Sequence, residues 1–161
     1  MKRLLAIATL SVLLSLPAFS SQAQEVTPQM VKDKVMEAAA YLEAHPEAAE
    51  TEFRDPESYW GTEPYVVLHD AHGAIVAHPH NHALIGRDMS TAKDPTGKLF
   101  VSEVFELVNT QGQGWVEYVW VKPGESTPSP KVSFVTWDPT KTFVVVVGLW
   151  DMSKEEAMAQ T

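Results

Sequence analysis

Three runs rich in β-branched and aromatic residues, 115–122, 131–137 and 143–150, follow one another with only turn signals between them. The breaks are the Pro123-Gly124 to Pro130 segment and Asp138-Pro139-Thr140. Residues of this kind fit a pleated, half-buried surface, and Pro, Gly and Asp clusters mark where such strands turn. Parallel neighbours need a crossover of about a dozen residues or more, so short links leave one arrangement, an antiparallel meander.

Upstream, 65–69 and 74–78 are a second β-rich pair around Asp70-Ala71-His72-Gly73, a hairpin by its turn chemistry. Residues 79–95 carry loop signals. Phe100, Val104, Leu107 and Val108 then recur at helical spacing, which predicts a helix over about 97–110, capped by Asp94-Pro95. At the other end, Thr27-Pro28 offers an N-cap and a proline at the first helical position. Val31, Val35, Ala38 and Leu42 form one apolar stripe, with Lys32, Lys34, Glu37 and Glu43 off it. Pro46 interrupts that helix, and 47–53 is expected to continue as a shorter one. The order helix–ββ–helix–βββ predicts an α+β fold: a PAS-like five-stranded antiparallel sheet with a long N-terminal helix and a helix inserted between strands 2 and 3.

Lys2 and Arg3 precede an apolar run from Leu4 to Leu16, followed by small residues at Ser21 and Ala23. That order predicts a signal peptide over 1–23, cut after Ala23, and a single domain over 24–161 in the periplasm or outside the cell. As a helix the run spans about 20 Å, short of a ~30 Å hydrocarbon core. With 12 basic against 21 acidic side chains, a formal charge of −9, the chain lacks the clustered cations that phosphate tracking needs, so nucleic acid is not an expected partner. The sequence has no cysteine, which removes disulfides, thiolate metal sites and a cysteine nucleophile. No cofactor fingerprint is present.

The stretch from Pro64 to Trp150 resembles the single Cache domain family, extracellular PAS-like ligand sensors of bacteria. The resemblance rests on Pro64-Tyr65-Val66-Val67-Leu68, Ala77-His78-Pro79, Asp94-Pro95-Thr96-Gly97-Lys98, and above all Trp115-Val116-Glu117-Tyr118-Val119-Trp120 with Lys122-Pro123-Gly124. It implies a pocket over the sheet for small molecules, often short organic acids or amino acids. Family members are commonly joined to chemoreceptor or histidine-kinase modules. Such modules are not found in this sequence, so a membrane-bound kinase or chemoreceptor is the expected partner. Where the family pattern often continues His-Pro-x-Asn-Pro, this chain has His78-Pro79-His80-Asn81-His82.

Strand alternation puts Tyr118 and Trp120 on one face, and Lys131 and Ser133 on one face of the next strand. If the two faces coincide, an ammonium and a hydroxyl meet two aromatic rings, an arrangement suited to a small anion. Hairpin register decides this, and the pattern does not fix it; a surface lysine covering an aromatic is the plainer alternative. Tyr65 and His78, at strand ends, are expected at the same mouth as donors, or as packing groups. Arg87 is a rival anion clamp, or a solvated loop charge. Five of the six histidines lie between His69 and His82. If extended, 78–82 would align His78, His80 and His82 for zinc, copper or nickel, which makes a metal-binding or metal-sensing protein the alternative function. Catalysis is not expected: Ser133 lacks recognisable His and Asp partners, and there is no phosphate loop or nucleophile elbow.

Overall fold

Thr27 starts the first helix as its position predicts, its hydroxyl accepting the Met30 N–H at 3.3 Å with Pro28 next in line. The structure, a computed structural model, describes residues 25–161; the leader expected over 1–23 lies outside them. Helix α1 is Pro28–Ala44, and its stripe of Val31, Val35, Ala38 and Leu42 is buried. Lys34 departs from the expected polar face. It is buried, because its stem lies beside the stripe while Nζ donates to the carbonyls of Tyr59 (2.6 Å) and Thr62 (3.0 Å). The expected short helix after Pro46 is instead two 3-10 turns, Pro46–Glu50 and Glu52–Arg54, split where Thr51 leaves helical backbone angles. They bury Phe53, which stacks on Trp60 with centroids 4.8 Å apart.

Strands β1 (Val66–Asp70), β2 (Ile75–Ala77), β3 (Gln113–Val121), β4 (Pro128–Trp137) and β5 (Phe143–Trp150) form one antiparallel sheet in the order β2-β1-β5-β4-β3. The meander and the first hairpin both form, and β1 joins them by pairing with β5. Helix α2 (Phe100–Gln111) spans the link between β2 and β3, which are opposite edges of the sheet. Alternation then divides the interior. Val66, Leu68, Val132, Phe134, Val145 and Val147 pack toward α1, whereas Tyr65, Val67, Val116, Tyr118, Val135, Val144 and Val146 pack toward α2. Burying each such valine contributes about 1.5–3 kcal/mol, so both faces are committed.

Asp94 does not cap α2. The N-cap position is Leu99, without a side-chain cap bond. Asp94 Oδ1 instead accepts from Thr96 N–H (2.8 Å), the Thr96 hydroxyl (2.6 Å) and Lys98 N–H (3.0 Å), and Oδ2 accepts from Val119 N–H at 2.9 Å. The carboxylate thus folds the 94–98 turn and fastens it to the free edge of β3. Burial alone would raise its pKa, but these four donors outweigh it and bring the group down to about 2. Its stabilisation is therefore complete above the ordinary carboxylate range and is lost as pH falls toward 2. Asp94→Ala should lower unfolding free energy by about 1–3 kcal/mol in urea titration, because donors lose their acceptor; an unchanged midpoint would mean water replaces the carboxylate without penalty.

A third helix, α3 (Lys154–Ala159), was not expected from the pattern. A Ser153/Glu156 capping box starts it, and Ala157 is buried against the α1 side.

Candidate functional site

The α2 side of the sheet holds the predicted polar and aromatic residues. In the β3–β4 register Tyr118 lies opposite Lys131 and Val116 opposite Ser133, so the two faces coincide. Lys131 also lies opposite Trp150 on β5. From β4 its side chain crosses β5 at Gly148 and reaches Tyr65, the residue before β1, where Nζ donates to Tyr65 Oη at 3.1 Å. The ammonium sits over the rings of Trp150 (4.5 Å to the centroid) and Tyr65 (4.7 Å), and the residue is only 4% exposed. Among the described residues no carboxylate lies within ion-pair distance of it. Burial lowers its pKa to about 8, partly opposed by the field of Glu63.

The crossing depends on a missing side chain. A Cβ on Gly148 would stand 2.4 Å from Ser133 Oγ and 2.6 Å from Lys131 Cε. An isolated glycine inside a strand often marks such a close approach, which is the sequence signal that could have found it.

Hydroxyls and imidazoles around the ammonium are neutral at physiological pH. Burial pushes the Tyr118 phenol up to about 12 despite its 3.0 Å hydrogen bond with Ser133 Oγ, and burial likewise raises Tyr65. His78 Nδ1 accepts the Asn81 N–H at 3.1 Å, which leaves the ring proton on Nε2 as a donor. Burial first, then the positive field of Lys131, bring His78 down to about 3. His69 has the opposite tautomer, its Nδ1–H donating to the Gly73 carbonyl at 3.2 Å, and burial lowers its pKa too.

Two compartments adjoin here. An inner cavity of about 40 Å3 lies under α2 and the 79–99 loop, lined by Lys131, Tyr118, Trp120, His69, His78 and apolar groups including Phe100, Leu84 and Met89. An outer cleft of about 520 Å3 opens beside it, lined by Tyr65, His80, Lys93 and Lys122 among others. His78 and Trp120 line both. Tyr118 and Trp120 flank Phe100 at 4.6 and 5.2 Å between centroids, and Tyr65 lies 5.4 Å from the His78 ring.

The structure therefore brings Tyr65, His78, Tyr118, Trp120 and Lys131 together. Ser133 is fully buried behind Tyr118 and holds its hydroxyl without lining either space. Arg87 is apart: it is exposed in the turn beside β2, where its backbone bonds Ile75 and Leu84, and it lines neither compartment. Three further residues were missed: His69 and Phe100, which line the inner cavity, and Gly148, which clears the path of Lys131. His69 stands two and four residues from Val67 and Tyr65 on one strand face, a spacing that was available in the sequence.

The alignment of His78, His80 and His82 that the metal-binding alternative needs does not form, because residues 79–80 turn the chain after β2. Nε2 of His80 faces the Gly61 carbonyl at 2.9 Å and that of His82 the Arg54 carbonyl at 2.8 Å, while His78 turns to Asn81. Among the described residues no three His, Cys, Asp or Glu side chains converge as metal ligands would.

Comparison with known proteins fits this architecture. The family model described as single Cache domain 2 matches residues 20–160. The chain belongs to the single Cache domain 2 family. It is a Cache sensor domain, and the α+β sheet with its flanking helices is the fold of its structural neighbours. A periplasmic sensor domain of a chemotaxis protein superposes with a TM-score of 0.61 at 34% identity, covering 78% of this chain and 90% of its own. A Cache chemosensory domain solved for its carboxylic acid recognition superposes with a TM-score of 0.63 at 27% identity, covering 78% and 91%. The methyl-accepting chemotaxis protein McpP of Pseudomonas putida is 35% identical over 71 residues, 44% of this chain. That match spans 13% of the receptor's length. Among the described residues no helix is long and apolar enough to cross a membrane.

Proposed function

We propose that this domain is a periplasmic sensor for a short carboxylate, bound in the inner cavity with its charge on Lys131. The observation that carries this reading is the buried ammonium, which among the described residues has no carboxylate within ion-pair distance. A buried cation is strongly unfavourable unless paired, so an arriving carboxylate gains most at this position. Lys131 Nζ supplies the cation and His78 Nε2–H a neutral donor. The Tyr65 hydroxyl, which accepts from Lys131, has its own O–H left to donate. Phe100, Leu84 and Met89 cover the carbon tail. About 40 Å3 is room for on the order of two or three waters, which restricts the ligand to a short acid. The carboxylic acid recognition of one structural neighbour supports the same ligand class, and the chemotaxis proteins among the relatives support a membrane-bound chemoreceptor as the signalling partner.

A thermal-shift panel of short carboxylates and amino acids tests this reading. A true ligand raises the unfolding midpoint in proportion to the logarithm of its concentration once above its Kd. A flat response to every short acid contradicts the proposal.

Protonation sets a second expectation. With Lys131 at about 8 in the unliganded protein, affinity for a fully ionised acid should be level below that pH. Above it, affinity should fall by about tenfold per pH unit, until the pH reaches the raised pKa of the liganded lysine. Calorimetric titration at several pH values from neutral to alkaline reads this directly; a constant affinity across that range would separate binding from the lysine.

A further inference from the structure

We infer that Trp120 is the partition that sets the longest acid the site accepts. The inference rests on the acid-binding reading above and concerns which acids that site selects. Its basis is geometric: the side chains of Trp120 and His78 are shared by the small inner cavity and the much larger outer cleft. His78 is held by the Asn81 N–H and lies beside the Tyr65 ring, while Trp120 leans on Phe100 at a 51° tilt and is half-buried on the edge strand. Lys131 and His78 hold the carboxylate end beside Tyr65, whereas Trp120 stands on the edge strand β3 against Phe100, with β5 and β4 between it and that end, so an extended chain running away from the ammonium meets the indole. Once the inner space of about 40 Å3 is full, further methylenes meet the indole. Behind it lies about 520 Å3 that a straight chain could occupy if the indole were gone.

The test is calorimetric titration of wild type, Trp120→Ala and Trp120→Phe with straight-chain acids from acetate to hexanoate. Wild type should bind the shortest acids best and lose affinity once the cavity is filled. In Trp120→Ala the ratio of hexanoate to acetate affinity should rise by about tenfold or more, since each newly buried methylene is worth roughly fourfold. Trp120→Phe keeps an aromatic ring against Phe100; it should shift the ratio the same way by less, and it carries the test if the alanine variant does not fold. A wild type that takes hexanoate as well as acetate overturns the inference. So does an unchanged ratio in the folded variants, although short-acid binding would then leave the sensor reading intact. A wild type that binds none of the acids overturns both.

Discussion

Lys131→Met is expected to eliminate measurable binding of short carboxylates while leaving the unliganded domain at least as stable as wild type. Truncating one partner of a buried, hydrogen-bonded charge pair typically costs about 2–5 kcal/mol of affinity. The stability side runs in the opposite direction. A buried lysine whose pKa has fallen from 10.5 to about 8 loses on the order of 3 kcal/mol at neutral pH, since the unfolded chain holds the proton more tightly. That loss fades between pH about 8 and 10.5, where the folded lysine has given up the proton and the unfolded one has not. Methionine keeps the apolar stem across Gly148 and removes the charge; against this stands one lost hydrogen bond to Tyr65, about 1 kcal/mol. Urea titration should therefore show equal or higher stability, and calorimetry no heat of binding. A clear fall in stability together with retained binding would mean that the ammonium serves the fold and not a ligand.

Gly148→Ala should remove binding by a different route. The new methyl would stand 2.4 Å from Ser133 Oγ, 2.6 Å from Lys131 Cε and 3.0 Å from the Val132 carbonyl. The first two separations are shorter than real Cβ contacts and the third is tight, while Gly148 is held in register by its pairing with Ser133 on β4. Lys131 must swing out of its path across β5, taking Nζ from Tyr65, and Ser133 must leave Tyr118. Overpacking of this kind costs about 1–3 kcal/mol of stability, and affinity should fall by a margin similar to that for Lys131→Met. Unlike Lys131→Met, this variant is expected to be less stable than wild type, so the pair separates loss of charge from loss of position. A Gly148→Ala protein with wild-type affinity would show that Lys131 can reach the ligand by another course.

Much of the frame was legible because it is periodic. The strand runs carry their alternation openly, and the α1 stripe of Val31, Val35, Ala38 and Leu42 can bury only as a helix. What the pattern could not supply was set between elements. Whether Tyr118 and Lys131 share a face depends on a loop from Lys122 to Thr127, where a slip of one residue would have reversed it. Asp94 looks like a helix cap in one dimension; its partner, the Val119 N–H, is brought to it only by the fold. Lys34 and Lys131 illustrate the same limit, since each lysine is buried by acceptors far along the chain. The histidine cluster is dense in sequence because it borders a turn, and the turn sends its rings to different backbone partners.

The titration of Lys131 itself offers the most direct test, followed through its side-chain 13Cε resonance by NMR, assigned by its absence in Lys131→Met. In the unliganded domain the midpoint should lie near 8, well below an ordinary lysine. Saturating acetate or propionate should move it upward, because a carboxylate docked on the ammonium favours the charged form. The same midpoint with and without those acids would contradict the assignment of Lys131 as the anion-binding group.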